Sequence, residues 1–586
     1  MATENLVTEQ FQLLGIDVEQ EVLTKCISLC EDFNVDPETF IEQWMAFSLN
    51  YLNSAPPTLE NLEVFARKEF SKRAVNRSNT VVKETSSNIA SGLTVYGTPI
   101  STQPDNNVLS NYMTVAPKRV KLETEVVSSH QTELRPPTYS PIIERSLKYS
   151  SRPNPGTVVH SYGDEKQLEL ISQSNNLHDI SNLNIVQIPN DDGDLYTKAT
   201  FGFEMLHEKA SIFDNHLTYL SQYIMKKAGI TESTSTRHKT QTVVTVAGRI
   251  ECDADARLNP KSVMLQGTWE ESLSQAVPVD IDNVTQYSLF PGQVVVMRGI
   301  NQRGDQFIAH EILSDASKPI PDPKADMLNY LEGKLSIMMA AGPYTTSDNM
   351  AYEPLRDFIT YIGTHRPHVV IMTGPFMDVE HSKIKDNSMA ETYKSYFEKL
   401  IDNLAEVHKT SPSTNIYIVS SVKDVFHVNI YPTPPYSTRR KYQNIHFLPD
   451  PCTININGVV VGLTSTDVLM SINNEEISCG TAGGVDKLSR LCGHLVRQQS
   501  YSPLWPPPAT RPTDAALWAA HSHLPCTPHL MLLPSNFRYF VKEVNGCVMV
   551  NPEHLTKGQG GGTFARILVD GSLSPSEFIS AQIIRI

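Results

Sequence analysis

The chain has 586 residues, 40% hydrophobic and 19% charged, with a formal net charge of −15. This composition is typical of a globular protein of about two to four domains. The charge argues against nonspecific nucleic-acid binding by the whole surface, because a net negative surface is repelled by the phosphate backbone.

Three classes of protein are disfavoured by the residue pattern. There is no apolar run of about 18 residues, so we expect no membrane span. The N-terminal MATENLVTEQ has no apolar core, so we expect no secretory signal and an intracellular protein. The eight cysteines form no Cys-x-x-Cys pair, which argues against a structural zinc site and a disulfide framework.

Residues 1–75 predict a small acidic helical domain. FQLLGI, EVLTKCISLCEDF and PETFIEQWMAFSLNYL place apolar residues at three- and four-residue spacings. TLENLEVFARKEF predicts one further helix, with Thr58 as its cap. Residues 1–70 hold 13 acidic and 3 basic side chains, a net charge of −10. Such a module is either a solvated surface or a protein-docking domain.

Residues 76–155 predict a disordered linker, since they are rich in Ser, Thr, Asn and Pro and poor in groups that could form a core. Thr98 and Ser140 each precede a proline, so they are candidates for proline-directed phosphorylation or simply inert linker positions. One basic cluster is a candidate nuclear-import signal, although short basic runs also arise by chance. It consists of Pro117, Lys118, Arg119, Val120, Lys121 and Leu122.

Residues 156–320 predict a lead-in helix followed by a β-barrel of the OB-fold type. The helix lies in FGFEMLHEKASIFDNHLTYLSQYIMKK, whose apolar face is Phe213, Leu217, Leu220 and Ile224. Short strands separated by turn residues then fill about 241–318. An OB-fold can bind single strands through aromatic and basic side chains. The block has few of either, so a structural role is favoured.

Residues 321–586 predict an α/β domain. Apolar runs such as LSIMMAAG, VVIMTG, NIYIVSS and NGVVVGL alternate with amphipathic helical segments such as ETYKSYFEKLIDNLAEVHK. Uninterrupted apolar runs are typical of strands that are buried on both faces of a sheet. GTFARILVD and FISAQIIRI predict a final hairpin.

Four segments carry a family resemblance: AAGPYTTSDNMAYEPL, VVIMTGPFMDVEH, LPSNFRYFVKEVNGCVMVNP and LTKGQGGGTFARI. With the barrel block and the acidic helical N-terminus, they resemble the B subunits of replicative DNA polymerases, most specifically those of DNA polymerase alpha–primase. The resemblance covers essentially the whole chain and is weakest over 76–240.

The resemblance implies that residues 321–586 have an inactive calcineurin-like phosphoesterase fold and that the chain is a non-catalytic nuclear accessory subunit. Its implied partners are the C-terminal metal-binding domain of the catalytic subunit of DNA polymerase alpha and, through the complex, the primase subunits. Replisome proteins would bind through residues 1–75. DNA contact would be weak or indirect, with no cofactor and no membrane.

The residues at the strand ends agree with a loss of catalysis. A two-metal hydrolase needs oxygen and nitrogen ligands that converge from several strand ends. Here the expected ligand motifs are replaced, Lys423 adds positive charge, and Gly-His-x-His is absent. We therefore predict no catalytic residue and no metal, and a degenerate site around Gly342, Pro343, Gly374, Pro375, Asp378, Ser421 and Asp424. Asp378 is expected to be a turn or capping residue.

Three groups of residues imitate functional sites. His521, His523, Cys526 and His529 are metal-ligand types, but they are too crowded to surround one ion. Gly558–Gly562 is glycine-rich without the Lys-Ser/Thr of a phosphate loop. His494 is expected to be a surface or helix-packing histidine. The rival functions are a B subunit of another replicative polymerase, an active metal-dependent phosphoesterase or nuclease, and a single-strand-binding module.

Overall fold

The computed structural model describes residues 20–33, 40, 44, 47, 57–65, 146–172, 183–188, 201–254, 256–322, 334–386, 389, 391–480, 485–571, 573 and 577–586. The chain divides into two compact units, one of Met1–Phe11 and Asp17–Thr138 and one of Gln12–Ile16 and Tyr139–Ile586. The candidate import cluster 117–122 and the candidate phosphorylation sites Thr98 and Ser140 lie outside the described residues.

The N-terminal unit contains the helices α1 (Gln20–Phe33) and α2 (Leu59–Phe65), which pack against each other. Along α1, Cys26 and Leu29 are buried, as the apolar spacing predicts. The Phe65 ring of α2 lies 5.6 Å from the Trp44 ring, edge to face. The Thr58 hydroxyl accepts a hydrogen bond from the Asn61 N–H at 3.3 Å, which confirms Thr58 as a helix cap.

The C-terminal unit begins with a lead-in of short elements: α3 (Leu147–Ser150), β1 (Val158–Tyr162), α4 (Glu165–Ser172), β2 (Ile185–Gln187) and the long helix α5 (Leu206–Ala228). The Tyr149 side chain in α3 is buried, and its hydroxyl donates to Asp357 at 2.8 Å. Ordered structure therefore begins by residue 146, inside the segment that the sequence predicts to be a linker.

A closed five-stranded barrel follows, in the order β3-β4-β5-β8-β7. Its core is apolar and includes Val246, Ile250, Leu265 and Phe307. The predicted small barrel is thus confirmed. Its elements are β3 (Thr240–Cys252), β4 (Val263–Gln266), α6 (Trp269–Ser272), β5 (Ala276–Asp280), β6 (Tyr287–Leu289), β7 (Val294–Asn301) and β8 (Phe307–Leu313).

The helix α5 covers one side of the barrel. Leu217, Leu220 and Ile224 are each at most 2% exposed and pack with barrel residues that include Val294 and Val296. Each buried aliphatic side chain of this kind contributes about 1.5–3 kcal/mol relative to exposure. The predicted apolar face is confirmed for these three residues, whereas Phe213 is only half-buried.

The α/β part is built from two sheets. Its elements are β9 (Lys334–Ala341), α7 (Glu353–His365), β10 (Val369–Thr373), α8 (Ser382–Lys385), α9 (Tyr393–Ala405), α10 (Val407–Thr410), β11 (Asn415–Val419), β12 (Ile445–Leu448), β13 (Cys452–Ile456), β14 (Val459–Leu463), α11 (Val468–Glu475), β15 (Ile477–Cys479), α12 (Lys487–Arg497), α13 (Ala515–His521), β16 (Leu530–Leu532), β17 (Phe540–Val544), β18 (Cys547–Asn551), β19 (Thr556–Lys557), β20 (Gly560–Gly561), β21 (Thr563–Asp570) and β22 (Ile579–Arg585).

The first sheet has the strand order β1-β22-β21-β9-β10-β11-β12 and the second the order β17-β18-β16-β14-β13-β2. In the first, β9, β10, β11 and β12 run parallel to one another. In the second, β14, β16 and β18 are parallel. β1 and β2 extend one sheet each, so the lead-in is shared between the barrel and the two sheets. The predicted final hairpin is confirmed as β21 paired with β22.

The two sheets pack face to face, and helices cover their outer faces. Ile337 and Met339 of β9 lie in the core between the sheets, while Met338 and Ala340 lie in the core shared with α7 and α9. A third core joins the second sheet to α11 and α12. The layers therefore follow the order helices, sheet, sheet, helices. Because β9 and β10 are covered on both faces, their sequences are continuous apolar runs.

The barrel and the α/β part share a strand pair and a helix contact. β6 pairs antiparallel with β15. The Gln498 side chain accepts from the Val294 N–H at 2.8 Å and donates to the Val294 carbonyl at 3.1 Å. An amide side chain thus substitutes for a neighbouring strand along β7. None of the described helices is both long and apolar enough to cross a membrane.

Candidate functional site

The carboxyl ends of parallel strands from both sheets meet at one edge of the α/β part, which we call the strand-end edge. The segment after β18 crosses to the end of β9, where the Leu555 N–H donates to the Ala341 carbonyl at 2.8 Å. His554 Nδ1 lies 2.6 Å from the Gly342 carbonyl oxygen. This is the position at which a hydrolase built on such strands would hold its metal ligands.

The structure brings the residues of the predicted degenerate site together. A Cβ atom on Gly342 would lie 2.0 Å from the Pro375 carbonyl oxygen, so the turns after β9 and β10 touch backbone to backbone. A Cβ atom on Gly374 would lie 2.6 Å from Ser421 Cβ and 2.7 Å from Asp424 Oδ2. Both glycines are therefore required by close packing rather than by a ligand. Pro343 follows Gly342 in the same turn.

Asp424 is the buried acid at the centre of this edge. Its Oδ1 accepts hydrogen bonds from the N–H groups of Phe376, at 2.8 Å, and Met377, at 2.5 Å. Its Oδ2 accepts a very short hydrogen bond from the Tyr436 hydroxyl. Burial raises the pKa of Asp424 to about 7, although these hydrogen bonds act in the opposite direction. Both carboxyl oxygens are engaged, so Asp424 holds the turns together instead of facing a ligand.

Aromatic side chains fill the space around Asp424. The Tyr344 and Phe376 rings stack with centroids 4.6 Å apart. The Tyr344 hydroxyl lies 2.9 Å from the Thr373 carbonyl oxygen, and the Tyr352 hydroxyl donates to the Phe376 carbonyl at 2.6 Å. These phenols bond to backbone carbonyls at the strand ends. The aromatic side chains therefore fill the space at the strand ends in which a metal ion and its bound water would have to lie.

Asp378 is a turn residue. Its Oδ1 accepts from the Glu380 N–H at 2.9 Å, and its backbone forms an isolated bridge with Asp424. The side-chain bond from an Asp to the N–H two residues on is the usual Asx-turn. One carboxylate oxygen of Asp378 is therefore used locally, by the turn that follows β10.

Three polar residues at the same edge were not anticipated from the sequence: Asp467 after β14, Asn536 after β16 and His554 after β18. The Asp467 carboxylate accepts from the Met470 N–H at 3.0 Å, the Ser535 hydroxyl at 2.7 Å and the Asn536 N–H at 2.9 Å. It caps α11 and ties two strand ends together. All three could have been found in the sequence by looking for polar residues within about five positions after the end of each predicted strand.

His554 is half-buried and lies near Lys423 and Lys557. Burial lowers the pKa of His554, and the charge of Lys423 lowers it further. The ring is therefore neutral near pH 7, and Nδ1–H donates to Gly342. The other nitrogen, Nε2, lies 3.2 Å from the Asn536 side chain. One histidine nitrogen is not a ligand set, and the described residues contain no group of three or more His, Cys, Asp or Glu side chains suited to a metal ion.

The crowded histidines near α13 do not converge. The His523 ring stacks on His216 of α5 at 5.0 Å, whereas His529 accepts from the Val460 N–H at 2.9 Å and faces the Pro321 carbonyl at 3.0 Å. His521 lies in α13, and Cys526 is half-buried in the loop that follows. In the Gly558–Gly562 stretch, β19 and β20 form a tight hairpin.

His494 lies where the barrel meets the α/β part. Its Nε2 is 2.9 Å from Glu476 Oε1 and 2.8 Å from the Ser288 hydroxyl of β6. Arg490 binds both oxygens of Glu476, each at 2.9 Å. Burial by itself raises the pKa of Glu476, but the bonds from His494 and Arg490 outweigh it and bring the pKa to about 2. This network differs from a Ser-His-acid triad, because serine and acid share one nitrogen of the ring.

A cleft of about 760 Å³ opens between the barrel and the strand-end edge. From the barrel it is lined by the end of β3, with Arg249, Glu251 and Cys252. From the α/β part it is lined by Ser421–Lys423, Ser465–Asp467, residues of α11 and the loop 504–511. Its volume lies within the range of about 300–1,000 Å³ that is typical of small-molecule sites. The cleft is therefore the candidate binding site of the C-terminal unit.

Three family models match the chain in the order of its parts. The first describes the N-terminal region of the DNA polymerase alpha B subunit and matches residues 4–72. The second describes the OB domain of the same B subunit and matches 210–315. The third describes the B subunit of DNA polymerases alpha and epsilon and matches 337–542. The N-terminal region, the barrel and the α/β part thus each match a model of a DNA polymerase B subunit.

Similar proteins narrow the class from polymerase B subunits in general to those of DNA polymerase alpha. The chain is 32% identical to the DNA polymerase alpha B subunit of Rattus norvegicus, with 100% of both chains covered. The same protein of Mus musculus is 30% identical with 100% coverage of both, and that of Drosophila melanogaster 29% identical with 97% of both covered. The chain belongs to the family of DNA polymerase alpha B subunits.

Among solved structures, a Vps29 mutant of Entamoeba histolytica matches 43% of this chain and 99% of its own, at 8% identity and a TM-score of 0.20. A score this low supports no fold assignment.

Replacing the central carboxylate of the barrel contact, Glu476→Gln, should lower the free energy of unfolding by about 3 kcal/mol, because it leaves Arg490 without its buried counter-charge. Denaturant unfolding of the full chain measures this. The matched control is Glu380→Gln in the exposed pair with Lys385, which should change stability by less than about 1 kcal/mol. Equal effects of the two substitutions would contradict the assignment.

The raised pKa of Asp424 predicts a pH dependence. The folded chain keeps a proton that the unfolded chain releases, so its contribution to stability is complete below pH 3.8 and is lost as pH rises through about 7. Asp424→Asn should flatten this part of the stability profile, measured by denaturant unfolding at a series of pH values. Asp253→Asn, at an exposed position, should keep the original slope. An unchanged slope in Asp424→Asn would refute the prediction.

Proposed function

We propose that this chain is the non-catalytic accessory subunit of a DNA polymerase alpha–primase complex. It binds the C-terminal metal-binding domain of the catalytic polymerase subunit. It meets the primase subunits through the complex and supports primer synthesis at the initiation of DNA replication. Its contact with DNA is weak or indirect, it works in the nucleus, and it needs no cofactor.

The observation that carries this proposal is the end-to-end match to relatives named as the B subunit of DNA polymerase alpha. Two of the three family models are specific to the alpha polymerase and match the N-terminal region and the barrel. This favours the alpha complex over another replicative polymerase.

The non-catalytic role is supported by the strand-end edge. We infer that residues 321–586 have a calcineurin-like phosphoesterase fold whose metal ligands have been lost. Parallel strand ends of two facing sheets are the arrangement expected of such a fold. The oxygen atoms of Asp424 are used by Phe376, Met377 and Tyr436. Lys423 brings a positive charge to the place where a cation would bind.

The remaining parts of the proposal concern domain organisation and regulation. The domains are a helical module at 1–75, a linker at 76–155 that carries the import signal 117–122, the lead-in and OB-fold at 156–320, and the phosphoesterase-like domain at 321–586. The acidic module docks replisome proteins, and Thr98 and Ser140 are phosphorylated. The net charge of −10 over residues 1–70 supports a basic docking partner.

Affinity purification of the tagged full chain from nuclear extract, followed by mass spectrometry, should recover the catalytic subunit of DNA polymerase alpha together with the primase subunits. A chain that starts at Tyr139, the first residue of the main C-terminal segment, should retain the catalytic subunit. The physical reason is that the barrel and both sheets lie after this residue. Loss of the catalytic subunit from the shortened chain would contradict docking by the C-terminal unit.

The purified full chain should not hydrolyse a phosphodiester in the presence of Mn²⁺, because both oxygens of Asp424 are engaged within the fold and Lys423 adds positive charge. Release of a chromogenic leaving group measures this. Hydrolysis that disappears in Asp378→Asn and persists in the exposed control Asp253→Asn would establish an active metal-dependent phosphoesterase instead.

A further inference from the structure

Two arginines of the cleft are buried without an acidic partner in contact. Arg249 and Arg511 are each 5% exposed. Neither forms an ion pair with a carboxylate of the described residues, although buried charges in proteins are normally paired. Two guanidinium groups that line one cleft without an ion pair indicate that an anion completes it.

Arg511 has the larger unsatisfied hydrogen-bonding capacity. Its Nη2 donates to the Ser502 hydroxyl at 2.7 Å, and the group lies 4.8 Å from the centroid of the Tyr431 ring. Its Nε and Nη1 are buried and have no hydrogen-bond partner. Asp450 acts on Arg511 through its charge, but its oxygens already accept four hydrogen bonds from the segment Thr464–Thr466.

Arg249 is held in place by an aromatic group. Its Nη2 donates to the Phe213 carbonyl at 2.5 Å, and its guanidinium lies 5.0 Å from the centroid of the Phe213 ring. The Phe213 ring in turn packs against Trp505 at 4.3 Å. Glu251 and Asp214 act on Arg249 through their charges alone, without an ion-pair contact. Burial lowers the pKa of Arg249 to about 10, which leaves it charged near pH 7.

A third cation and an aromatic ring complete the wall. Lys423 is exposed at the rim, and its ammonium forms no ion pair in the described part of the chain. The half-buried Trp505 lines the same cleft. Arginine forks suit phosphate oxygens, and aromatic rings accept stacked bases.

The cleft also holds groups that need donors from a ligand. Glu251, Asp467 and Glu475 line it, with hydroxyls such as those of Thr466 and Ser471. Of the three acids, Asp467 already accepts the three hydrogen bonds described above, with both of its oxygens engaged. A ligand that fits must therefore combine an anion, a flat ring and hydrogen-bond donors. A nucleotide has all three, in its phosphate, its base and its hydroxyl and amino groups.

We propose that the cleft binds a nucleotide, with the phosphate at the unsatisfied nitrogens of Arg511 and the base against the Trp505 ring, while Arg249 and Lys423 add positive charge to the same lining. The bound nucleotide is either a free molecule or one unit of a single-stranded nucleic acid. The inference goes beyond the proposed accessory role and does not depend on it. Co-purification tests that role, whereas binding to the isolated chain tests this site.

Isothermal titration of the full chain compares four probes at physiological salt: inorganic phosphate, deoxyadenosine, dAMP and a short single-stranded oligonucleotide. We expect dAMP to bind at least about fivefold more tightly than phosphate, because it adds a stacked base. Deoxyadenosine should bind more weakly than dAMP. An oligonucleotide that binds more tightly than dAMP identifies a strand as the source, and equal binding identifies a free nucleotide.

Two substitutions locate the site. Lys423→Ala, at an exposed position, should weaken dAMP binding about two- to fivefold. Arg511→Lys keeps the charge but loses the fork, so it should weaken binding about tenfold or more. Its thermal unfolding midpoint shows whether it folds, and Lys423→Ala keeps the test valid if it does not. The control is Lys441→Ala, an exposed lysine away from the cleft, which should bind dAMP like the original chain.

Three results would overturn the proposal. One is the absence of binding by dAMP and the oligonucleotide at millimolar concentration. Another is binding that neither Lys423→Ala nor Arg511→Lys weakens relative to Lys441→Ala. The third is binding of a polyglutamate peptide that depends on these residues while dAMP does not bind, because the cleft would then take an acidic protein segment.

Discussion

The turns at the strand-end edge depend on one buried carboxyl group. Asp424 accepts hydrogen bonds from two backbone N–H groups in the turn after β10 and from one phenol hydroxyl in the segment before β12. Those N–H groups follow the end of a strand and have no sheet partner, so without Asp424 they would be buried and unsatisfied. The cost of burying the carboxyl is thus offset by the donors that it satisfies. This single group ties together the turns in which Gly342, Pro375 and Ser421 approach one another closely.

The second constraint is the union of the barrel with the α/β part. Val294, at the start of β7, lies beyond the residues that pair with β8, and Gln498 accepts from its N–H and donates to its carbonyl there. Glu476 then ties β6 to α12 through Ser288, Arg490 and His494. A buried bidentate pair of this kind fixes geometry more than it adds stability, because desolvation removes much of the Coulomb gain. The barrel is therefore held against the α/β part by specific polar contacts.

Much of the fold could be predicted because its strands are buried on both faces. In β10, Val369 and Ile371 face the second sheet while Val370 and Met372 face helices, so the segment reads as one apolar run. For the same reason the sequence does not predict the second sheet. A strand that is apolar on both faces gives no sign of whether a sheet or a helix covers each face. The lead-in strands β1 and β2 were missed because both are short and half-exposed. They pair with residues hundreds of positions away.

In the candidate site, too, residues beside a recognisable strand could be predicted, whereas residues placed by contacts with distant parts of the chain could not. Residues next to a recognisable strand, such as Pro375 and Asp424, could be assigned to the edge from the sequence. His554 could not, because its position follows from the parallel pairing of β18 with β16 and from its contact with Gly342, 212 residues away.

The arginines of the cleft are harder still to predict, since an arginine in a sequence gives no sign of being buried. The acids of the C-terminal unit make the contrast clear. Asp424, Asp450 and Glu476 are all buried, and each has its oxygens satisfied by donors of the fold. Arg249 and Arg511 are equally buried but form no ion pair, and two nitrogens of Arg511 have no hydrogen-bond partner, although burying a charge costs on the order of several kcal/mol. The fold satisfies its buried acids but leaves two buried arginines without an ion pair, and both line the cleft between the barrel and the strand-end edge.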